Sequence, residues 1–229
     1  MKSKLWQNAL GAMGIALATP VMAFSIDFET VPTNFYTTGE SFTQASVNLA
    51  VQSGVGVVDT AAAFGPGSGL DLAVPLGTLG KFYSGLNDGV LTLTSIDSSP
   101  FKLFSLDFSF ISPLTNLYAL GDVPGMLLMA YTVAGGDGSL SWNFGAADVN
   151  GKFTMTTLAD PALTVPSYLS VSFSACTFNG FGGCVAPNGN FNQFALDNIS
   201  AVPEPTPVVL ALTALVFGLG RRLLARRAR

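Results

Sequence analysis

Through most of the chain, apolar and polar residues alternate one for one. Phe24, Ile26 and Phe28 alternate with Ser25, Asp27 and Glu29. Leu91 and Leu93 alternate with Thr92 and Thr94. Phe104, Leu106, Phe108 and Phe110 are separated by Ser105, Asp107 and Ser109. The same period recurs at Leu140, Trp142 and Phe144, and at Leu169, Val171 and Phe173, with serines or asparagine between. A period of two puts one face of each segment in a core and the other in water, as in half-buried antiparallel strands. No segment of the body carries a long apolar period of 3.6.

Turn-forming residues punctuate these runs. Asn87-Asp88-Gly89 precedes the Leu91 run, and Gly135-Gly136-Asp137-Gly138 precedes the Trp142 run. Asp122-Val123-Pro124-Gly125 and Pro187-Asn188-Gly189-Asn190 read as two further turns. Many short strands between such turns predict an all-β fold, an antiparallel β-sandwich of jelly-roll type. The 18 phenylalanines suit such a core, because aromatic side chains bury large apolar area. Val47 to Gly80, rich in Gly, Ala and Val, reads as one or two weak strands around a mobile loop. No internal repeat and no second domain are visible.

The two ends follow different rules. Lys2 and Lys4 precede an apolar stretch, Ala9 to Ala18, and Val21-Met22-Ala23 supplies small residues before Phe24. This is the layout of a secretory signal peptide over residues 1–23 rather than of a buried helix. At the other end, Pro203-Glu204-Pro205 leads through Thr206-Pro207 into an uncharged run, Val208 to Gly220. That run is shorter than the ~20 apolar residues of a comfortable membrane span. Leu223, Leu224 and Ala225 extend it if Arg221 and Arg222 snorkel. All five arginines of the protein, Arg221, Arg222, Arg226, Arg227 and Arg229, follow it. The positive-inside rule keeps such a cluster cytoplasmic and the body on the far side of the inner membrane.

The succession Pro203-Glu204-Pro205, apolar helix, arginine-rich end resembles the PEP-CTERM sorting signal of exopolysaccharide-producing Gram-negative bacteria. The resemblance covers residues 203–229. It implies a transmembrane sorting helix, recognition of the tripeptide by a membrane-embedded exosortase, removal of the tail, and release towards the cell surface. Gln193, Phe194 and Asp197 also resemble the Gln-Phe-x-x-Asp segment that precedes the tail in one group of these proteins. The resemblance implies a structural or adhesive role in exopolysaccharide or biofilm and carries over no catalytic residue. The competing reading of the tail is an ordinary single-span anchor.

Between the ends, residues 24–202 form one domain's length of chain. They hold three lysines against thirteen acids, a net charge of about −10. Such a body is repelled by phosphate backbones, which excludes nucleic acid as a partner. Neutral polysaccharide and divalent cations remain. The protein has no histidine, which removes histidine triads, histidine-ligated zinc and imidazole acid–base catalysis. Cys176 and Cys184 flank a glycine-rich stretch that lets its ends meet. In an exported protein this pair predicts a disulfide. A reactive thiol pair is the alternative, but neither cysteine has a sequence-adjacent Lys, Arg or His to favour a thiolate.

Four further features are candidates for chemistry. The first body strand and the last are expected to be neighbours in a jelly roll. That would bring Asp27, Glu29, Asp197 and Asn198 together, with carboxylate and amide oxygens suited to a structural Ca²⁺. The alternative is outward-facing polar residues on two amphipathic strands. A carboxylate pair such as Asp97 and Asp107 would be needed for glycoside hydrolysis. Trp142 reads as a core residue, whereas Tyr36 and Tyr83, in loop-like sequence, read as exposed aromatics for stacking on sugar. Gly65-Pro66-Gly67-Ser68-Gly69 lacks the Lys-Ser/Thr of a phosphate loop. The expected function is that of an exported matrix protein. A calcium-stabilised carbohydrate-binding module is the alternative, and a hydrolase comes third.

Overall fold

The computed structural model describes residues 23–114, 118–181, 183–185 and 191–204. The expected signal peptide up to Met22, the expected Pro187–Asn190 turn, Pro205, the apolar run and the arginine cluster lie outside the described residues. Ala23–Val202 is one compact unit.

Among the described residues, thirteen antiparallel strands build it. In chain order they are β1 (Phe24–Ile26), β2 (Asn34–Thr37), β3 (Ser41–Gln44), β4 (Val47–Thr60), β5 (Leu72–Ala73), β6 (Lys81–Ser95) and β7 (Phe101–Phe110). There follow β8 (Ser112–Pro113), β9 (Gly125–Val133), β10 (Gly136–Asn143), β11 (Thr156–Leu158), β12 (Tyr168–Thr177) and β13 (Phe194–Pro203). A 3-10 turn at Ala61–Ala63 and one helical turn at Pro161–Thr164 are the helical elements among the described residues. No described helix is long and apolar enough to cross a membrane.

The long strand β6 organises the sheet. Its second half pairs with β12 (Leu93↔Val171), and β12 continues through β9 to the edge strand β10. Its first half pairs with β13 (Tyr83↔Leu196), and β13 is followed by β7 and β11. β4 runs antiparallel to β6 along both halves and carries β2 and β3 on its far side. The sheet therefore changes partners along β6 and closes over itself in a sandwich-like, all-β arrangement. The core between its walls holds Leu49, Leu91, Val171, Phe173 and Met129 from one side, and Leu103, Leu106, Phe110, Leu196 and Ile199 from the other. β1 pairs with β13 (Phe24↔Ala201, Ile26↔Ile199), so the first and last body strands are neighbours, as the sequence pattern anticipates.

Several details differ from the sequence reading, each for a local reason. Asn87-Asp88-Gly89 does not end a strand. It is an irregularity inside β6, with Asn87 and Asp88 at φ 54° and 58°. Val47–Thr60 is no weak strand but the 14-residue β4. Its middle carries register shifts at Val51/Ser53 and Ser53/Val55, which blur the alternation. The residues after it cover the outer face of the sheet. Phe64 and Leu72 join Val57, Phe82, Leu86, Ile111 and Ala195 in a second apolar cluster. Tyr36 and Tyr83 are buried, Tyr83 completely, because they sit on β2 and β6 rather than in loops. Phe104 and Leu169 break the alternation expected of them and face solvent. The register shift between Tyr168 and Ser170 turns Leu169 outward and Tyr168 into the core.

Candidate functional site

The irregularity in β6 makes a concave site. Opposite it, β4 carries Gly54 at φ 67°, where a Cβ atom would lie 2.6 Å from Asn87 O. Only glycine fits that close approach of two backbones. Ser53 Oγ donates to Asp88 O at 2.9 Å and pins the two kinked strands together. The extra residues swing Asn87 and Asp88 out of the ladder, as a bulge does. A cleft of about 490 Å³ opens beside them, lined by Ser53, Asn87, Asp88, Gly89, Val90, Ser174, Ala175 and Asn192.

Asn192 ties the cleft together. Its Nδ2 donates to Asp88 Oδ1 at 2.7 Å and its backbone N to the same oxygen at 3.3 Å. Its Oδ1 accepts from Thr177 N at 2.7 Å. Asn192 is buried, so these bonds fix one orientation of its amide. The exposed Asn87 and the half-buried Ser174 present further amide and hydroxyl groups. With Asp88 as its one charged lining residue, the cleft offers donors and acceptors of the kind that match vicinal hydroxyls. Its volume lies within the ~300–1,000 Å³ typical of small-ligand sites.

The disulfide Cys176–Cys184 forms at the end of β12, adjoining this cleft, with Cα atoms 5.2 Å apart. Thr177 Oγ1 donates to Phe191 O at 3.0 Å, and Val185 N to Thr177 O at 2.7 Å. A disulfide of this kind belongs to an oxidising compartment, and the protein is extracytoplasmic.

A second cluster lies at the β1–β13 junction. Leu196 and Ile199 both enter the core although three residues apart. Asn198 at φ 49° absorbs the extra step, with Asp197 beside it. Asp197 is buried. Burial is the main cause that pushes its carboxyl up to about 7, and the charges of Asp107, Glu29 and Asp27 add to it. A bond from Asn198 N, at 2.8 Å to Oδ1, works against the rise. All four residues singled out for a cation thus belong to one neighbourhood, together with Asp107, whose Oδ2 accepts from Asn198 Nδ2 at 2.8 Å. Their oxygens also have protein donors. Asp27 Oδ1 accepts from Gln44 Nε2 at 2.6 Å, and Glu29 Oε1 accepts from Lys81 N at 2.9 Å. Among the described residues no group of three or more acids, cysteines or histidines is arranged as a metal site.

The remaining candidates separate. Asp97 lies in the β6–β7 turn, where hydrogen bonds from Ser95 and Ser99 hold its carboxyl down at about 2. Asp107 is six residues further along β7 than Phe101, roughly 20 Å at the strand rise. Glycosidase pairs stand ~5–9.5 Å apart. Trp142 is half-buried, packs against the core and donates Nε1 to Asp160 Oδ2 at 2.8 Å. The cleft itself is absent from the sequence reading. Its one trace there is Asn87-Asp88-Gly89, which has the same composition whether it ends a strand or kinks one.

No family model matches the chain, and no curated protein matches it. Among solved structures, it is similar to TmCBM61, a carbohydrate-binding module determined in complex with β-1,4-galactotriose. The two are 8% identical, the match covers 78% of this chain and 94% of that one, and the TM-score is 0.32.

Proposed function

We propose that this is an exported cell-surface or extracellular-matrix protein with a structural or adhesive, non-catalytic role, which holds neutral polysaccharide in the cleft between β4, β6 and β12. The cleft carries this reading. It sets amide, hydroxyl and carboxylate groups in a fixed pattern within a body whose net charge disfavours polyanions. Delivery rests on the two ends of the chain. A signal peptide over residues 1–23 starts export. The tail, residues 203–229, anchors the protein transiently in the inner membrane until an exosortase acts at Pro203-Glu204-Pro205. The body between them is read as a jelly roll with its first and last strands paired.

Binding of the protein to the exopolysaccharide of the producing cell tests the role. Saturable binding that weakens in Asn87→Ala is expected. Equal retention of both proteins would contradict it. Replacement of Pro203, Glu204 and Pro205 by alanine tests delivery, with accumulation in the membrane fraction expected and unchanged release contradicting it.

A second reading, a calcium-stabilised carbohydrate-binding module, is favoured by the junction cluster. A Ca²⁺ ion held by Asp27, Glu29, Asp197 and Asn198 would offset the repulsion among these carboxylates and favour the charged form of Asp197. Its test is the melting temperature with calcium and with chelator.

A further inference from the structure

The loop closed by the disulfide leaves the cleft wall directly, since Ala175 lines the cleft and Cys176 follows it. It is a built loop. Phe178 bridges to Cys184, and Phe178 N donates to Pro124 O at 2.8 Å. Asn179 N donates to Gly183 O at 2.9 Å, while Asn179 Oδ1 accepts from Phe181 N at 2.8 Å and from Gly183 N at 3.2 Å. On this support Phe181 stands 96% exposed. A covalent staple and the Asn179 bonds hold the backbone of an aromatic residue that buries nothing in the protein's own core. The described part of the loop has no charged side chain, so nothing in it would draw the ring to an anionic lipid surface, and the net charge of the body opposes one.

We infer that Phe181 is a stacking platform for the glycan held in the cleft, and that the disulfide fixes the platform relative to the cleft wall. The inference rests on the cleft being a polysaccharide site and narrows the ligand to neutral glycans with an apolar C–H ring face. The ring meets that face of one sugar unit while Asn87, Ser174 and their neighbours take hydroxyls of another. Phe181 stands five positions after Cys176, at most about 17 Å of extended chain, which is within the span of an oligosaccharide. Asn192, bonded to both Asp88 and Thr177 N, makes cleft wall and loop base one rigid piece.

The test is calorimetric titration of the full chain and its variants with neutral oligosaccharides cut from the producing cell's exopolysaccharide. Phe181→Ala removes an exposed ring, so its melting temperature should stay at the wild-type value while affinity falls at least tenfold. Phe181→Trp should restore binding, with a blue shift of the indole emission on saturation. Reduction of the disulfide should weaken binding by a similar factor. Wild-type affinity in Phe181→Ala, with binding still weakened in Asn87→Ala, would overturn the platform and leave the cleft reading standing. No binding by the wild-type protein would overturn both.

Discussion

Asn192 and Asp88 meet through a 2.7 Å hydrogen bond across 104 residues of sequence. The bond joins the kinked middle of β6 to the segment that enters β13. Replacement of Asn192 by alanine leaves Asp88 and Thr177 N without this buried partner. Loss of such a group typically costs about 1–3 kcal/mol. Denaturant unfolding should show a destabilisation in that range, together with loss of glycan binding.

Gly56 faces the ring of Tyr83. A Cβ atom at Gly56 would lie 2.7 Å from Tyr83 Oη, and Tyr83 is fully buried among Phe28, Phe42 and Phe194. Gly56→Ala should destabilise by roughly 1–3 kcal/mol, the usual cost of overpacking a core. Its midpoint in urea should fall, and far-ultraviolet circular dichroism should report the same β fold.

The disulfide closes a short loop. In the chain-entropy model, removal of such a link costs roughly 2–3 kcal/mol. The double variant Cys176→Ser, Cys184→Ser should melt lower by a corresponding amount and should lose its disulfide-dependent gel mobility shift.

Asp197 sets a pH dependence of unusual sign for a carboxylate. Its folded pKa, about 7, lies above the ordinary value of 3.8. Between these two values the folded state binds more protons than the unfolded state, so stability falls as pH rises. This contribution is fully present below pH 3.8, declines up to about 7 and is flat beyond. Asp197→Asn should flatten the decline between pH 4 and 7 in urea titrations and stabilise the protein at neutral pH. An unchanged slope would contradict the assignment. If calcium occupies this junction, it should also raise the melting temperature of the wild-type protein and leave that of Asp197→Asn unchanged.

Much of the architecture is legible in the alternation. Leu91, Leu93, Val171 and Phe173 point inward as the period of two requires, and the pairing of Ile26 with Ile199 follows the expected adjacency of the end strands. Tyr36 and Tyr83 are buried because their loop-like sequence pairs as regular strand, whereas other departures sit where the backbone leaves a regular strand. Leu169 turns outward at a register shift, and Asn87 and Asp88 kink a strand they were expected to precede. A one-residue shift exchanges the two faces of a strand, and single-sequence alternation carries no sign of it. The cleft is illegible in the sequence for the same reason. Its residues come from β4, β6, β12 and the approach to β13, and only the bulges bring them together. The cation candidates are legible as neighbours because they lie on or just beyond two strands that pair directly, whereas Asp107 joins them through a third strand.

The most direct test of the central claim is titration of the wild-type protein with purified neutral exopolysaccharide at low and high salt. Recognition through hydroxyls at a nearly uncharged cleft predicts saturable binding whose affinity is the same in both, because screening acts on charges. Absence of binding, or binding that disappears as salt is raised, would contradict it.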